Sequence, residues 1–230
     1  MAKEQYGFRS NASTEKAIYQ LTNNILKALD SKYLVGGIFC DLTKAFDYVD
    51  HDILLEKLEY YGIKGSAHNL ITLYLKDRYQ RVVIRNKTST THYSEWNKVA
   101  RGVPQGSVLG PLFFLIYIND LPGTTNQISS PTLFADDTNI ICMHYDTNSL
   151  REIIEEIIMK INKWFQLNSL ILNFNKTKII QFTTKTNLET LSYINHEHKH
   201  SVNSQSTSFL GLILDKTLSW QLHIEKICAK

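Results

Sequence analysis

An acid pair, Asp136-Asp137, sits between two apolar flanks in the stretch Thr132-Leu-Phe-Ala-Asp-Asp-Thr-Asn-Ile-Ile-Cys142. Two adjacent carboxylates cannot both ionise cheaply, and divalent cations remove the conflict. A third acid, Asp41, closes the apolar run of residues 33–40. Three converging carboxylates form the hard-oxygen set that Mg²⁺ prefers. Two such ions about 3.5–4 Å apart can activate a 3′-hydroxyl and stabilise the oxygen leaving a phosphate. Taken alone, an Asp-Asp dipeptide is most often only a turn, where Asp is favoured.

Such acids need elements to hold them. Residues 33–40 read as a buried strand delivering Asp41 at its end, and 132–135 with 138–142 as a tight hairpin carrying the acid pair at its turn. Before them, Ser13 is a good N-cap for a helix whose apolar positions Ala17, Ile18, Leu21, Ile25, Leu26 and Leu29 recur at helical spacing, ending near Asp30. Further helices are expected over 51–61, stopped by Gly62, more weakly over 66–75, and over 112–121, broken by Pro122-Gly123. Asp47, Asp50 and Asp52 are read as caps of the helix at 51, not as reactive acids. Residues 80–84 and 93–99 suggest a hairpin, followed by a turn at 101–106. The strongest amphipathic helix runs through Leu150, Ile153, Ile154, Ile157, Ile158, Ile161, Trp164 and Phe165 and must cover a sheet. Strands at 170–174, 178–183, 191–194 and 209–214 complete that sheet, giving an α+β fold with helices packed on one face.

Composition bounds the rest. With 43% hydrophobic and 20% charged residues in a chain of 230, the sequence is globular, which excludes disordered and low-complexity functions. Cys40, Cys142 and Cys228 are far apart and form no CxxC pair, so neither a disulfide framework nor a zinc cluster is expected, and a reducing compartment is the default. The N-terminus lacks a signal-peptide core, and the longest apolar run, 108–118, stops at Asn119-Asp120, well short of a membrane span. The net charge of +3 names no partner. Residues 57–101, however, hold nine basic residues (Lys57, Lys64, Lys76, Arg78, Arg81, Arg85, Lys87, Lys98, Arg101) against three acids. That stretch is either a solvated surface or a track for a phosphate backbone.

Six blocks then stand in order: Gln5-Tyr-Gly-Phe-Arg9 with Ser13-Thr14; Asp41-Leu-Thr-Lys-Ala-Phe-Asp-Tyr-Val-Asp-His51; Arg101-Gly-Val-Pro-Gln-Gly-Ser107 with Gly110-Pro111; Phe134-Ala-Asp-Asp-Thr138; Asn173-Phe-Asn-Lys-Thr177; and Phe209-Leu-Gly-Leu-Ile-Leu-Asp215. In this the sequence resembles the reverse transcriptases of non-LTR (LINE-type, jockey-like) retrotransposons, for which the ending Leu218-Ser-Trp-Gln-Leu-His-Ile224 is also typical. The ordered set spans nearly the whole chain and is far more specific than any single block.

The resemblance implies a polymerase palm, an antiparallel sheet covered by helices, acting as an RNA-directed DNA polymerase. Asp41, Asp136 and Asp137 are then the catalytic, metal-binding acids for two Mg²⁺ ions, with Mn²⁺ as a substitute; Asp41 and Asp136 bridge and Asp137 is partly structural. Phe46 lies beneath the incoming sugar as a filter against a 2′-hydroxyl, its alternative being an ordinary core Phe. Gln105 and Gly106 contact the incoming nucleotide, and Arg101 a phosphate, its alternative being a surface Arg. Lys176 protonates the departing pyrophosphate, with Lys178 as a competing candidate. Phe209, Leu210 and Gly211 form the primer grip.

The implied partners are an RNA template, a DNA primer primed at nicked chromosomal DNA, dNTPs and the rest of the element's polyprotein, with no membrane, in nucleus and cytoplasm. The resemblance further implies a fingers remnant at 1–32, a palm at 33–185 with a fingers-like insertion around 62–100, and a primer-grip region at 186–230 leading to a thumb outside this chain. The first block departs from the family pattern at Ala12, where a basic or bulky residue is common. The competing function is a catalytically inactive, truncated element relic that only binds RNA or primer-template.

Overall fold

The computed structural model describes residues 1–86, 90–125, 128–183, 195–196, 199–200 and 202–229. Among the described residues six α-helices run in chain order: α1 (Thr14–Asp30), α2 (His51–Tyr60), α3 (Gly65–Leu75), α4 (Leu109–Tyr117), α5 (Thr147–Leu167) and α6 (Gln221–Cys228). The strands are β1 (Leu34–Cys40), β2 (Tyr79–Gln80), β3 (Val83–Arg85), β4 (Thr91–Tyr93), β5 (Asn97–Lys98), β6 (Ser130–Phe134), β7 (Asp137–His144) and β8 (Lys178–Phe182). They are followed by β9 (Asn195–His196), β10 (Lys199–His200), β11 (Val202–Asn203), β12 (Ser206–Phe209) and β13 (Leu212–Asp215). The chain folds as two compact units, residues 1–45 with 118–230, and residues 46–117. No described helix is long and apolar enough to cross a membrane.

The first unit is built on a sheet of order β11-β8-β1-β7-β6, with β1 antiparallel to both β7 and β8. Six of the seven β1 residues are buried, so both faces of this central strand are covered, as its unbroken apolar run demands. Side chains alternate between the faces. On one face, a Cβ added at Gly36 would lie 2.5 Å from Ile154 of α5, so this glycine lets the helix approach. On the other, Val35 and Phe39 join Ile141, Ile180 and Phe182 in a core with Ala17, Leu21, Ile25 and Ala28 of α1. Helices therefore cover both faces, which corrects the single-face expectation: periodicity shows that a helix is amphipathic but not which side of a sheet it covers. Each Leu or Ile fully buried in these layers contributes about 1.5–3 kcal/mol.

Helix α1 begins where expected, with the Ser13 hydroxyl accepting from the Lys16 amide at 3.2 Å. Residues 170–174 do not form the expected strand. Leu172 makes a single antiparallel bridge with Leu42, after which the Asn173 carbonyl accepts from the amides of Lys176 and Thr177 and turns the chain. The expected strand at 209–214 forms over 212–214 as part of β13 but is broken by a hairpin turn: Phe209 pairs with Leu212, and Leu210 and Gly211 take φ of 49° and 90°. The expected strand at 191–194 lies outside the described residues.

In the second unit α2 packs on α3 and α4. Its hairpin forms as two short pairings, β2 with β5 and β3 with β4, instead of one continuous ladder. Of the three expected caps only Asp50 serves, accepting from the amides of Asp52 and Ile53 at 3.1 and 3.3 Å. Asp52 pairs with Lys76, and Asp47 is occupied elsewhere.

Candidate active site

Strand β1 ends at Cys40, which pairs with Thr138 of β7, so Asp41 and Asp137 adjoin the same terminal pair of the ladder. Phe134 pairs with Asp137 to close the β6–β7 turn, leaving Ala135 and Asp136 at its tip. Ala135 takes φ of 53°, a left-handed conformation that glycine usually fills in such two-residue turns. The three sequence-separated acids thus meet at one end of the first unit's sheet.

Their charges interact. Burial raises the Asp136 pKa above the usual carboxylate range, a backbone hydrogen bond lowers it by less, and the Asp41 charge adds to the rise. Asp137 is raised to about 6, by partial desolvation and then by the charges of Asp136 and Asp41.

Among the described residues no three His, Cys, Asp or Glu side chains are gathered closely enough to hold one ion. Asp41, Asp136 and Asp137 are neighbours at the end of the sheet. Their oxygen-donor chemistry and their mutual repulsion nonetheless fit a divalent cation.

The Asn173–Thr177 block is fastened to Asp41 by backbone: the Asn173 amide donates to the Asp41 carbonyl at 2.8 Å, and the Asp41 amide donates to the Thr177 hydroxyl at 3.4 Å. Lys176 is exposed on this turn. The competing Lys178 is half-buried, and its ammonium donates to the Ser206 carbonyl at 3.5 Å. Phe209 is 2% exposed and sits in the core, so within the Phe209-Leu210-Gly211 block only the turn residues Leu210 and Gly211 reach the surface.

The remaining candidates lie in the second unit. Half-buried Phe46 stacks on Phe114 with ring centroids 4.3 Å apart. The amides of Gly102 and Val103 donate to the carbonyls of Val49 and Phe46, drawing the Arg101–Ser107 loop alongside Phe46. A Cβ at Gly102 would lie 2.9 Å from the Asp47 carbonyl oxygen, so only glycine fits. Gln105 donates to Asp47 at 2.9 Å; it and Gly106 are exposed. Arg101 lies 3.9 Å from Asp50 and is also exposed.

Much of the basic stretch is paired. Lys57 donates to the Tyr117 carbonyl, Lys76 pairs with Asp52 and Lys98 with Asp77, while Lys87 lies outside the described residues. Arg81 lies between the rings of Tyr93 and Trp96, at 4.3 and 4.6 Å. Sequence reasoning missed Phe114 and Asp47 as supports of Phe46 and Gln105. Phe114 carries only the signal of a core helix, and Asp47 resembled a helix cap.

Residues 1–214 match the family described as reverse transcriptase (RNA-dependent DNA polymerase). The probable RNA-directed DNA polymerase from transposon BS of Drosophila melanogaster is 33% identical over 96% of this chain. The RNA-directed DNA polymerase from mobile element jockey of the same fly is 26% identical over 98%. The chain spans 24% of each, about a quarter of their length. In fold it is similar to apo telomerase of Candida tropicalis truncated from its C-terminal domain, with a TM-score of 0.61 at 16% identity, covering 94% of this chain and 40% of that one. The sheet with acids at its end has a palm-type fold, and the chain belongs to the reverse transcriptase family.

Proposed function

We propose that this chain carries the chemical centre of an RNA-directed DNA polymerase that adds dNMP to a primer 3′ end. The observation that carries the reading is the meeting of Asp41 with Asp136-Asp137 at one end of the sheet. Two bound magnesium or manganese ions would supply an activated 3′-hydroxyl and neutralise charge on the departing pyrophosphate. Asp41, Asp136 and Asp137 are the residues that hold them. Lys176, exposed on the turn tied to Asp41, gives a proton to the pyrophosphate, a role for which Lys178, engaged with Ser206, is less available.

Phe46, braced by Phe114, excludes a 2′-hydroxyl. Gln105, with Gly106 beside it and Asp47 orienting its amide, contacts the nucleotide, and Arg101 reaches a phosphate. Leu210 and Gly211 touch the primer, with Phe209 as their anchor. The partners are an RNA template, a DNA primer, dNTPs and the remainder of an element polyprotein, working in nucleus and cytoplasm. The exposed Arg81, Tyr93 and Trp96 cluster supports template binding, because aromatic rings and guanidinium stack on bases of any sequence.

The test is magnesium-dependent primer extension on an RNA template with Asp136→Asn as control. Extension by the wild-type chain alone supports an enzyme. Template binding without extension, identical in both proteins, supports the non-catalytic RNA-binding reading instead.

A further inference from the structure

The Gln5-Tyr6-Gly7 segment lies against the turn that carries the acid pair, although 130 residues separate Gln5 from Ala135. Tyr6 donates its amide to the Leu133 carbonyl and Leu133 donates to Glu4, so the segment runs as a short parallel bridge beside β6. Gln5 is 3% exposed. Its side-chain oxygen accepts from the Ala135 amide at 2.9 Å and the Gly7 amide at 2.7 Å, and its side-chain nitrogen donates to the Ala135 carbonyl at 3.4 Å. Both backbone groups of Ala135 are thereby held by one side chain. A Cβ at Gly7 would collide with the Ala135 amide nitrogen, so the segment fits this close only as glycine. Arg9 fixes the segment from behind, donating to the carbonyls of Ala2 at 2.5 Å and Gln5 at 2.9 Å.

Ala135 is the residue with φ of 53°. A non-glycine residue in that region is strained and persists only where its surroundings over-determine it. Asp136 follows directly, so the conformation of Ala135 sets where the Asp136 carboxylate starts from.

We infer that Gln5 is a positioning residue: its carboxamide clamps Ala135 in the left-handed conformation and so aims Asp136 and Asp137. The inference deepens the polymerase reading and rests on it for its consequence in rate. Gln5 touches neither substrate nor ion; it acts through the turn.

The experiment uses the full chain with Gln5→Leu, which removes the hydrogen-bonding groups, and Gln5→Glu, which keeps an acceptor for both amides. In the ion-free protein, exchange of the Ala135 amide speeds up at least tenfold in Gln5→Leu and much less in Gln5→Glu. In primer extension, Gln5→Leu raises the Mg²⁺ concentration needed for half-maximal rate at least threefold, and Gln5→Glu restores it in part. A mere loss of folded protein would lower the rate without moving that requirement. Should Gln5→Leu not fold, Gln5→Asn, shorter by one methylene, makes the same comparison. Unchanged exchange at Ala135 overturns the clamp whatever the activity does. A wild-type chain without polymerase activity overturns the functional reading and leaves the exchange result to decide the clamp.

Discussion

Asp41 and Asp137 lie at the same end of the β1–β7 ladder, each next in sequence to a member of its terminal Cys40–Thr138 pair. A slip of one residue in that ladder would shift Asp41 relative to the acid pair and turn every β1 side chain to the other face. The register is specified because both faces of β1 are packed, Gly36 against Ile154 and Phe39 within the α1 core.

Loss of a single acid should abolish chemistry without unfolding the chain. Asp41→Asn and Asp136→Asn each lower the primer-extension rate by about a thousandfold or more, since a two-ion arrangement fails as a unit. The ion-free melting temperature at pH 7 stays level or rises, because each change removes a like charge from the cluster. Extension by Asp136→Asn at wild-type speed would remove this acid from the reaction.

Phe46 and Phe114 separate specificity from stability. Phe46→Ala raises ribonucleotide incorporation relative to deoxynucleotide about tenfold or more, measured as a ratio of kcat/KM values. Phe114→Ala, at a fully buried position, costs about 3–5 kcal/mol in denaturant unfolding. Unaltered sugar discrimination in Phe46→Ala leaves the ring as a core residue only.

Gln105 and Asp47 form an exposed pair, so their loss affects binding and not folding. Gln105→Ala raises the dNTP KM about tenfold, Asp47→Ala raises it less, and both keep stability within about 0.5 kcal/mol of wild type. Steady-state kinetics at varied dNTP decide it; an unmoved KM in Gln105→Ala excludes the contact.

The two lysines should differ. Lys176→Ala lowers kcat about a hundredfold, as expected for loss of a general acid. Lys178→Ala, which frees the Ser206 carbonyl, changes rate only a few-fold. The reverse ranking would assign the proton to Lys178.

Asp215 gives a pH signature in stability. Burial pushes its pKa up, but hydrogen bonds from Thr217 and Ser219 outweigh this and hold it below the usual carboxylate range. Its carboxylate accepts from the amides of Thr217, Ser219 and Trp220 and from two hydroxyls, organising the turn before α6. A depressed folded-state pKa stabilises the fold above the unfolded value near about 4 and ceases to do so as pH falls through the folded value. Asp215→Ala is therefore less stable than wild type at pH 7 by about 1–3 kcal/mol, and the gap narrows below about pH 4. Parallel denaturation curves at the two pH values test it; a gap that does not narrow refutes the charged hydrogen bonds as its source.

Local order was legible in the sequence wherever one face of an element is repeatedly buried. The spacing in α1 and α5, the Ser13 cap and the apolar run of β1 all report burial along a short stretch of chain. The acid pair was legible too, since a turn between two apolar strands is a local event. The sequence blocks further supplied the family, independently of any geometry.

The tertiary structure decided what local periodicity does not encode. Strand order β8-β1-β7 brings Asp41 beside Asp137 across nearly a hundred residues, and packing on both sheet faces assigns α1 and α5 to opposite sides. The hydrogen bonds of Gln5 to Ala135 leave no periodic trace, because a single polar contact between distant segments alters no burial pattern. The turn at Leu210–Gly211 likewise hid inside an apolar run, where pairing of Phe209 with Leu212, and not composition, makes two strands of one. Sequence sets the local burial preferences; which distant segments satisfy each other's hydrogen bonds is settled only when the whole chain packs.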